Sequence, residues 1–201
     1  MSPIDDRKIT LQQLAKEVAA CDKCPELFST RTQTVFGVGP LSPEVCFVGE
    51  APGFDEDAQG EPFVGKAGQM LTRIIIGCGF KREEVYICNT LKCRPPGNAT
   101  PTPKQCENCR PFFERQIDLI QPKVICCLGN VASKQILNTS TGITKLRGTK
   151  QEYRGIPVVC TWHPSYIIRL EGDAHQKAKA ECWEDMKLIL KELGRPIPGK
   201  V

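Results

Sequence analysis

Apolar residues follow two different rhythms along this chain. Leu11, Leu14, Ala15 and Val18 recur at three- and four-residue intervals, and Thr10 and Gln13 have capping-box spacing. That pattern predicts a helix over about 11–20. Unbroken apolar runs at 44–48, 85–88 and 123–128 read instead as buried strands. Between them lie helical stretches at 66–76, at 131–137, and from 102 onward. The last of these has Thr102 as cap, Pro103 in the first turn and Gln105 closing the box. Segments 151–153 and 158–161 end the strand series. A final helix over 176–193 carries Cys182, Met186, Ile189, Leu190 and Leu193 on one face. Short, non-alternating strands interleaved with helices imply an α/β fold with a mainly parallel sheet covered on both sides. Ligands in such folds sit at the carboxyl ends of the strands. Three loops meet that rule with polar chemistry: Gly49-Glu50-Ala51-Pro52-Gly53, Asn89, and His163-Pro164-Ser165.

Composition adds few constraints and one anomaly. The 201 residues, 40% hydrophobic and 25% charged, suit a single domain, 1–201, with about 194–201 as a loose tail. No apolar stretch approaches the ~20 residues of a membrane span, and the start has acids where a secretory signal has bases, so a cytoplasmic protein is expected. A net charge of +4 permits a polyanionic partner without requiring one. Lys145, Arg147, Lys150 and Arg154 are the cations to watch. The anomaly is twelve cysteines. Cys46, Cys88, Cys126 and Cys127 lie inside apolar runs and read as core. Cys21-Asp-Lys-Cys24 and Cys106-Glu-Asn-Cys109 are metal-type pairs, and Cys93 is a fifth candidate. Spacing alone leaves zinc and iron–sulfur both open.

Other motifs sort by chemistry. Gly60-Glu-Pro-Phe-Val-Gly65-Lys66-Ala67 nearly spells a phosphate-binding loop, but Ala67 replaces the metal-binding hydroxyl and Pro62 lacks an N–H. Asn89 pairs a donor with an acceptor, suited to a nucleobase edge. His163, one of two histidines, stands just after a strand.

Taken together, Gly49-Glu-Ala-Pro-Gly53, Gly60-Glu-Pro-Phe-Val-Gly65-Lys-Ala-Gly68, Asn89-Thr-Leu-Lys-Cys-Arg-Pro-Pro96 and His163-Pro-Ser-Tyr-Ile-Ile-Arg169 resemble the family 4 uracil-DNA glycosylases, the iron–sulfur members of their superfamily. The resemblance runs in order from the Cys21 pair to Arg169. It implies a three-layer α/β/α sandwich around a four-stranded, mainly parallel sheet. It also implies a monomeric, monofunctional glycosylase acting on uracil in single- or double-stranded DNA. By the family's pattern, Cys21, Cys24, Cys93 and Cys109 hold a 4Fe–4S cluster, and Cys106 does not. Phe63 stacks on the base, Asn89 reads its edge, and His163 stabilises the departing uracil. Gly49 to Ala51 supply backbone donors, Glu50 positions water or braces the loop, and Glu56 is a wall against the thymine methyl. Ile167, Ile168 and Arg169 face the duplex, with Lys145, Arg147 and Lys150 on phosphates. No lysine of these blocks is expected at the base pocket, which disfavours lyase chemistry. The rival implied by the same fold is a cluster-containing DNA-binding or redox-sensing protein without activity. A covalently bonding branch of the superfamily is disfavoured, because 95–103 carries no histidine.

Overall fold

The computed structural model describes residues 3–199. In chain order its elements are helix α1 (Pro3–Ala19), a short α2 (Pro25–Phe28), strand β1 (Val45–Gly49), helices α3 (Phe54–Gln59) and α4 (Lys66–Gly77), and strand β2 (Tyr86–Asn89). Then follow helix α5 (Pro103–Ile120), strand β3 (Val124–Leu128), helices α6 (Gly129–Leu137) and α7 (Ile143–Leu146), the strands β4 (Lys150–Tyr153) and β5 (Ile156–Thr161), and helices α8 (Pro164–Arg169) and α9 (Gly172–Glu192).

The sheet has five strands, not the expected four, in the order β2-β1-β3-β5-β4. Four are parallel, as the apolar runs imply, and β4 is an antiparallel edge paired with β5. That hairpin turns on Arg154 and Gly155, with φ of 52° and 80°. This is the left-handed pair that a two-residue hairpin demands. β4 itself is short and largely polar, so it carries no apolar run.

Alternate residues of the buried strands feed two cores. On one face Val45, Phe47, Ile87, Val124, Cys126 and Val159 meet Leu71 and Ile75 of α4 and Met186, Ile189 and Leu190 of α9. On the other, Cys46, Val48, Cys88, Ile125, Cys127 and Cys160 meet Phe113, Ile117 and Ile120 of α5, Ile136 of α6 and Leu146 of α7. Helix α1 forms an outer layer, setting Leu14 and Val18 against Phe112 of α5. The core cysteines therefore pack as small hydrophobes.

Two ends differ from expectation. Helix α1 starts at Pro3, with Asp5 and Asp6 in its first turn, an arrangement the helix dipole favours. Thr10 is thus inside the helix, and its hydroxyl donates to the Asp6 carbonyl at 2.8 Å. The tail after α9 is anchored where it is described. The Arg195 guanidinium pairs with Glu44 at 2.5 Å and lies 4.2 Å above the Phe80 ring. Residues 200 and 201 of the expected loose tail lie outside the described residues. Among the described residues no helix is long and apolar enough to cross a membrane.

One buried cation joins the layers. Lys92 is fully enclosed. Its ammonium donates to the carbonyls of Phe36 at 3.1 Å and Asn89 at 2.7 Å, and to Gln116 Oε1 at 2.5 Å. The Phe36 and Phe113 rings flank it at 5.7 and 5.8 Å. Removing a charged donor strands its buried acceptors, which costs more than the net worth of the bonds. Lys92→Met is expected to lower unfolding stability by roughly 3 kcal/mol, measured by urea titration; a change below roughly 0.5 kcal/mol would mean that these oxygens find other partners.

Candidate active site

The loops at the carboxyl ends of β1, β2, β3 and β5 enclose a cleft of about 730 Å³. Gly49 ends β1 directly beside Asn89, the last residue of β2. A side chain at Gly49 would place its Cβ 2.4 Å from Asn89 Oδ1 and 2.6 Å from the tip of Phe63. Only glycine lets those two side chains meet above the strand end. Phe63 has a left-handed backbone, φ 54°, costing about 1–2 kcal/mol for a residue with a Cβ. Arg82 holds the bend by donating to the carbonyls of Pro62 at 2.8 Å and Phe63 at 2.9 Å. The Phe63 ring ends up buried, its centroid 5.8 Å from that of His163 and tilted by 32°.

Asn89 is 2% exposed, and its Oδ1 has no hydrogen-bond partner in the structure. Buried amide oxygens are almost always paired. Its own carbonyl is clamped by Lys92, and the Thr90 N–H donates to Gly49. The side chain therefore presents an acceptor that the protein leaves unused.

His163 caps α8. Its Nδ1 accepts from the Ser165 N–H at 3.1 Å and lies 2.7 Å from the Ser165 hydroxyl. Burial depresses the imidazole pKa from 6.5 to about 4, helped by the nearby Arg169 charge and opposed by Glu56. The ring is thus neutral at physiological pH. With Nδ1 accepting, its proton sits on Nε2, the ring's free donor. Burial also raises the Glu50 carboxyl, moving a cleft-lining acid toward the range of a general base.

Glu56 lines the cleft and also braces its rim. Its carboxylate accepts from the N–H groups of Gly53 at 3.1 Å, Val64 at 2.9 Å and Gly65 at 3.0 Å. These bonds also explain the phosphate-loop look-alike, whose amides are filled by the chain's own carboxylate.

The cysteines divide by place. Cys93 and Cys109 are buried in one apolar cluster, with Cys21 and Cys24 half-buried against it. Their charges feel one another: Cys21 and Cys24 act on Cys93, and Cys21 and Cys93 act on Cys109. Burial pushes the Cys109 thiol up to about 12 and raises Cys93 as well. Donors face the sulfurs, Arg31 toward Cys93 at 3.1 Å and Asn108 toward Cys24 at 3.4 Å. Cys106 also feels Cys24, but its sulfur accepts from Gln135 Nε2 at 2.6 Å in a second cleft between α5 and α6. Among the described residues no three His, Cys, Asp or Glu side chains converge on a single ion. A four-iron cluster takes each thiolate on a different iron, so it needs a wider set. Four gathered thiols with N–H donors on two of them fit that group.

The expected DNA-facing residues also divide. Ile168 and Arg169 are exposed, as is Lys145, whereas Ile167 is core, packed on Ala178 and Cys182. Arg147 is 16% exposed at its side chain and committed inward. It pairs with Asp185 at 3.2 Å, donates to the Glu181 carbonyl and lies 5.6 Å from the Trp162 ring centroid. Lys150 is paired with Glu192 and Arg154 with Asp118. A motif lysine, Lys66 at the start of α4, lines the wider cleft as an exposed side chain. Trp162 and Tyr166, stacked at 4.8 Å, also line it, as do Asn130 and Phe54. The aromatics stand beside residues already singled out, and that adjacency was their only signal.

The profile of the uracil DNA glycosylase superfamily matches residues 36–187. The chain is 42% identical over 167 residues to a type-4 uracil-DNA glycosylase of Archaeoglobus fulgidus, covering 79% of this chain and 83% of that one. It is 40% identical over 190 residues to the type-4 uracil-DNA glycosylase of Thermotoga maritima, covering 94% and 98%. Identity to a type-5 uracil-DNA glycosylase of Pyrobaculum aerophilum is 26% over 178 residues, covering 72% and 78%. With motif order, strand-end geometry and extended identity in agreement, this chain belongs to the type-4 group of the uracil-DNA glycosylase superfamily.

Proposed function

We propose that this single-domain protein flips uracil out of DNA and hydrolyses its N-glycosidic bond, the first step of base excision repair. The observation that carries this reading is the buried, unpartnered Oδ1 of Asn89 on the cleft wall that Phe63 and His163 also line. Uracil supplies what that oxygen lacks: its N3–H donates to Oδ1, while the amide N–H donates to O4. Cytosine offers an unprotonated N3 and an amine, leaving buried groups unpaired and the base rejected. Phe63 gives the base its stacking surface.

In the bond-breaking step the N1–C1′ bond cleaves heterolytically and its electron pair goes to uracil. The His163 Nε2–H donates to O2 as negative charge grows there, which a neutral ring does without giving up its proton. Main-chain N–H groups of Gly49 to Ala51 add donors. Water attacks C1′ of the cationic sugar, and Glu50 takes the proton. Lys66 lies on the cleft wall but is exposed, which suits phosphate contact, and Lys92 is held by three oxygens. Neither is placed as an amine nucleophile. Ile168 wedges into the space the base leaves, with Arg169 and Lys145 on phosphates.

Cys21, Cys24, Cys93 and Cys109 would hold a 4Fe–4S cluster, whose chemistry here is four-thiolate anchoring of α1, α2, the loop after β2 and α5. The flipped strand is bound by the protein's own groups, and the chain acts as a monomer in the cytoplasm.

Single-turnover release of uracil from an oligonucleotide tests the reading, with cytosine and thymine controls. Asn89→Ala and His163→Ala are each expected to slow it about 100-fold or more, and wild-type rates in either would remove the assigned role. Heteronuclear NMR should find His163 neutral and protonated on Nε2 down to about pH 5. The unfolded imidazole accepts a proton near 6.5 and the native one near 4. Acidification across that window therefore lowers folding stability, and a native midpoint near 6.5 would contradict the burial argument. Cys93→Ser should lose visible absorbance and bound iron while Cys106→Ser keeps both, and the reverse pattern would reassign the ligands.

A further inference from the structure

The cleft carries an aromatic group that the uracil site does not use. Phe54 lines it yet is 64% exposed. Phe54 opens α3, whose first turn is capped by Glu56 accepting from the Gly53 N–H. One face of the ring is covered by the Arg94 guanidinium, 5.0 Å from the centroid. Arg94 is itself braced, its Nε donating to Asn98 Oδ1 at 2.7 Å. The turn that presents Asn98 is set by left-handed backbone at Gly97 and Asn98, with φ of 61° and 55°. Asn98 is neutral, and among the described residues no carboxylate lies within ion-pair distance of Arg94. An exposed ring and an uncompensated cation thus stand together at the β2–β1 end of the cleft. Trp162 and Tyr166, which follow β5, stand at the other end.

We propose that Phe54 and Arg94 form a subsite for the nucleotide next to the flipped one on the same strand. The inference rests on the glycosylase reading above and extends it. The free face of Phe54 stacks on the flanking base, and the Arg94 fork pairs with a phosphate oxygen. Stacking of this kind tolerates any sequence, because every base has a π-face. The subsite holds a single strand without reading it.

The test is a binding cycle on single-stranded oligonucleotides bearing non-cleavable 2′-fluoro-deoxyuridine. Either the 5′ or the 3′ neighbour is left intact or replaced by an abasic tetrahydrofuran unit. Removing the base on one side is expected to weaken wild-type binding about tenfold. Phe54→Ala is expected to lose the same factor on intact DNA and nothing more on the abasic strand, while Phe54→Trp restores the coupling. A merely structural residue would show additive losses. Arg94→Gln is expected to reduce the salt slope of binding by about 0.7, the value of one single-strand phosphate. Additive losses at both neighbours, or unchanged affinity in Phe54→Ala, would overturn the subsite while wild-type uracil release leaves the enzymatic reading standing. Wild-type protein that releases no uracil would overturn both.

Discussion

A single ammonium group, that of Lys92, fixes the relation between the sheet and its working edge. It is fully buried, and three oxygens from separate parts of the chain converge on it. A cation in such a place is tolerated only when its donors are all engaged and its acceptors have no better partners. The Gln116 amide, from α5, completes the set by donating to Phe36 and Tyr86. As a result the turn after β2 has one position. Asn89 at its start and Cys93 near its end are placed by the same bond network, so the cleft-lining amide and the buried thiol share one support.

The other side of the cleft is held by a second polar network, built in the opposite sense. Buried Asp185 of α9 accepts from Thr161 at 2.8 Å, from the Gly148 N–H at 2.8 Å and from Arg147. Glu181 accepts from the Trp162 indole at 2.8 Å. The end of β5 is thereby tied to a helix on the sheet's face, and His163 follows directly. Desolvation acts alike on this network and the ring: it raises the Asp185 carboxyl and depresses the His163 imidazole. Burial thus shifts both groups before any substrate arrives.

Much of this was legible in the chain. The four parallel strands are apolar runs because both faces of the sheet are covered, and the α5 cap is local chemistry that burial does not alter. Where expectation and structure part, the cause is long-range. The segment at 151–153 reads as a strand, but its antiparallel place at the sheet edge rests on the hairpin at 154–155. Arg147 looks like a surface cation until Asp185, thirty-eight positions later, comes beneath it. Glu56 does line the cleft, but its bonds to the loop at 64–65 form only once the chain has folded. Thr10 satisfies the spacing of a cap, but a helix interior can use the same hydroxyl. The site residues Asn89 and His163 were legible because strand ends are where an α/β sheet binds. Phe54 was not singled out, since nothing local distinguishes an exposed rim residue from ordinary surface.

The carboxylate of Glu56 has a consequence for what the cleft turns away. The amides of Val64 and Gly65 open toward a helix start, the arrangement that elsewhere captures phosphate groups. Here they are saturated by a group that never dissociates, because it belongs to the same fold. Free nucleotides and inorganic phosphate, abundant anions in any cell, find those amides already occupied. The resting protein thus offers small anions no free pair of amides at this helix start.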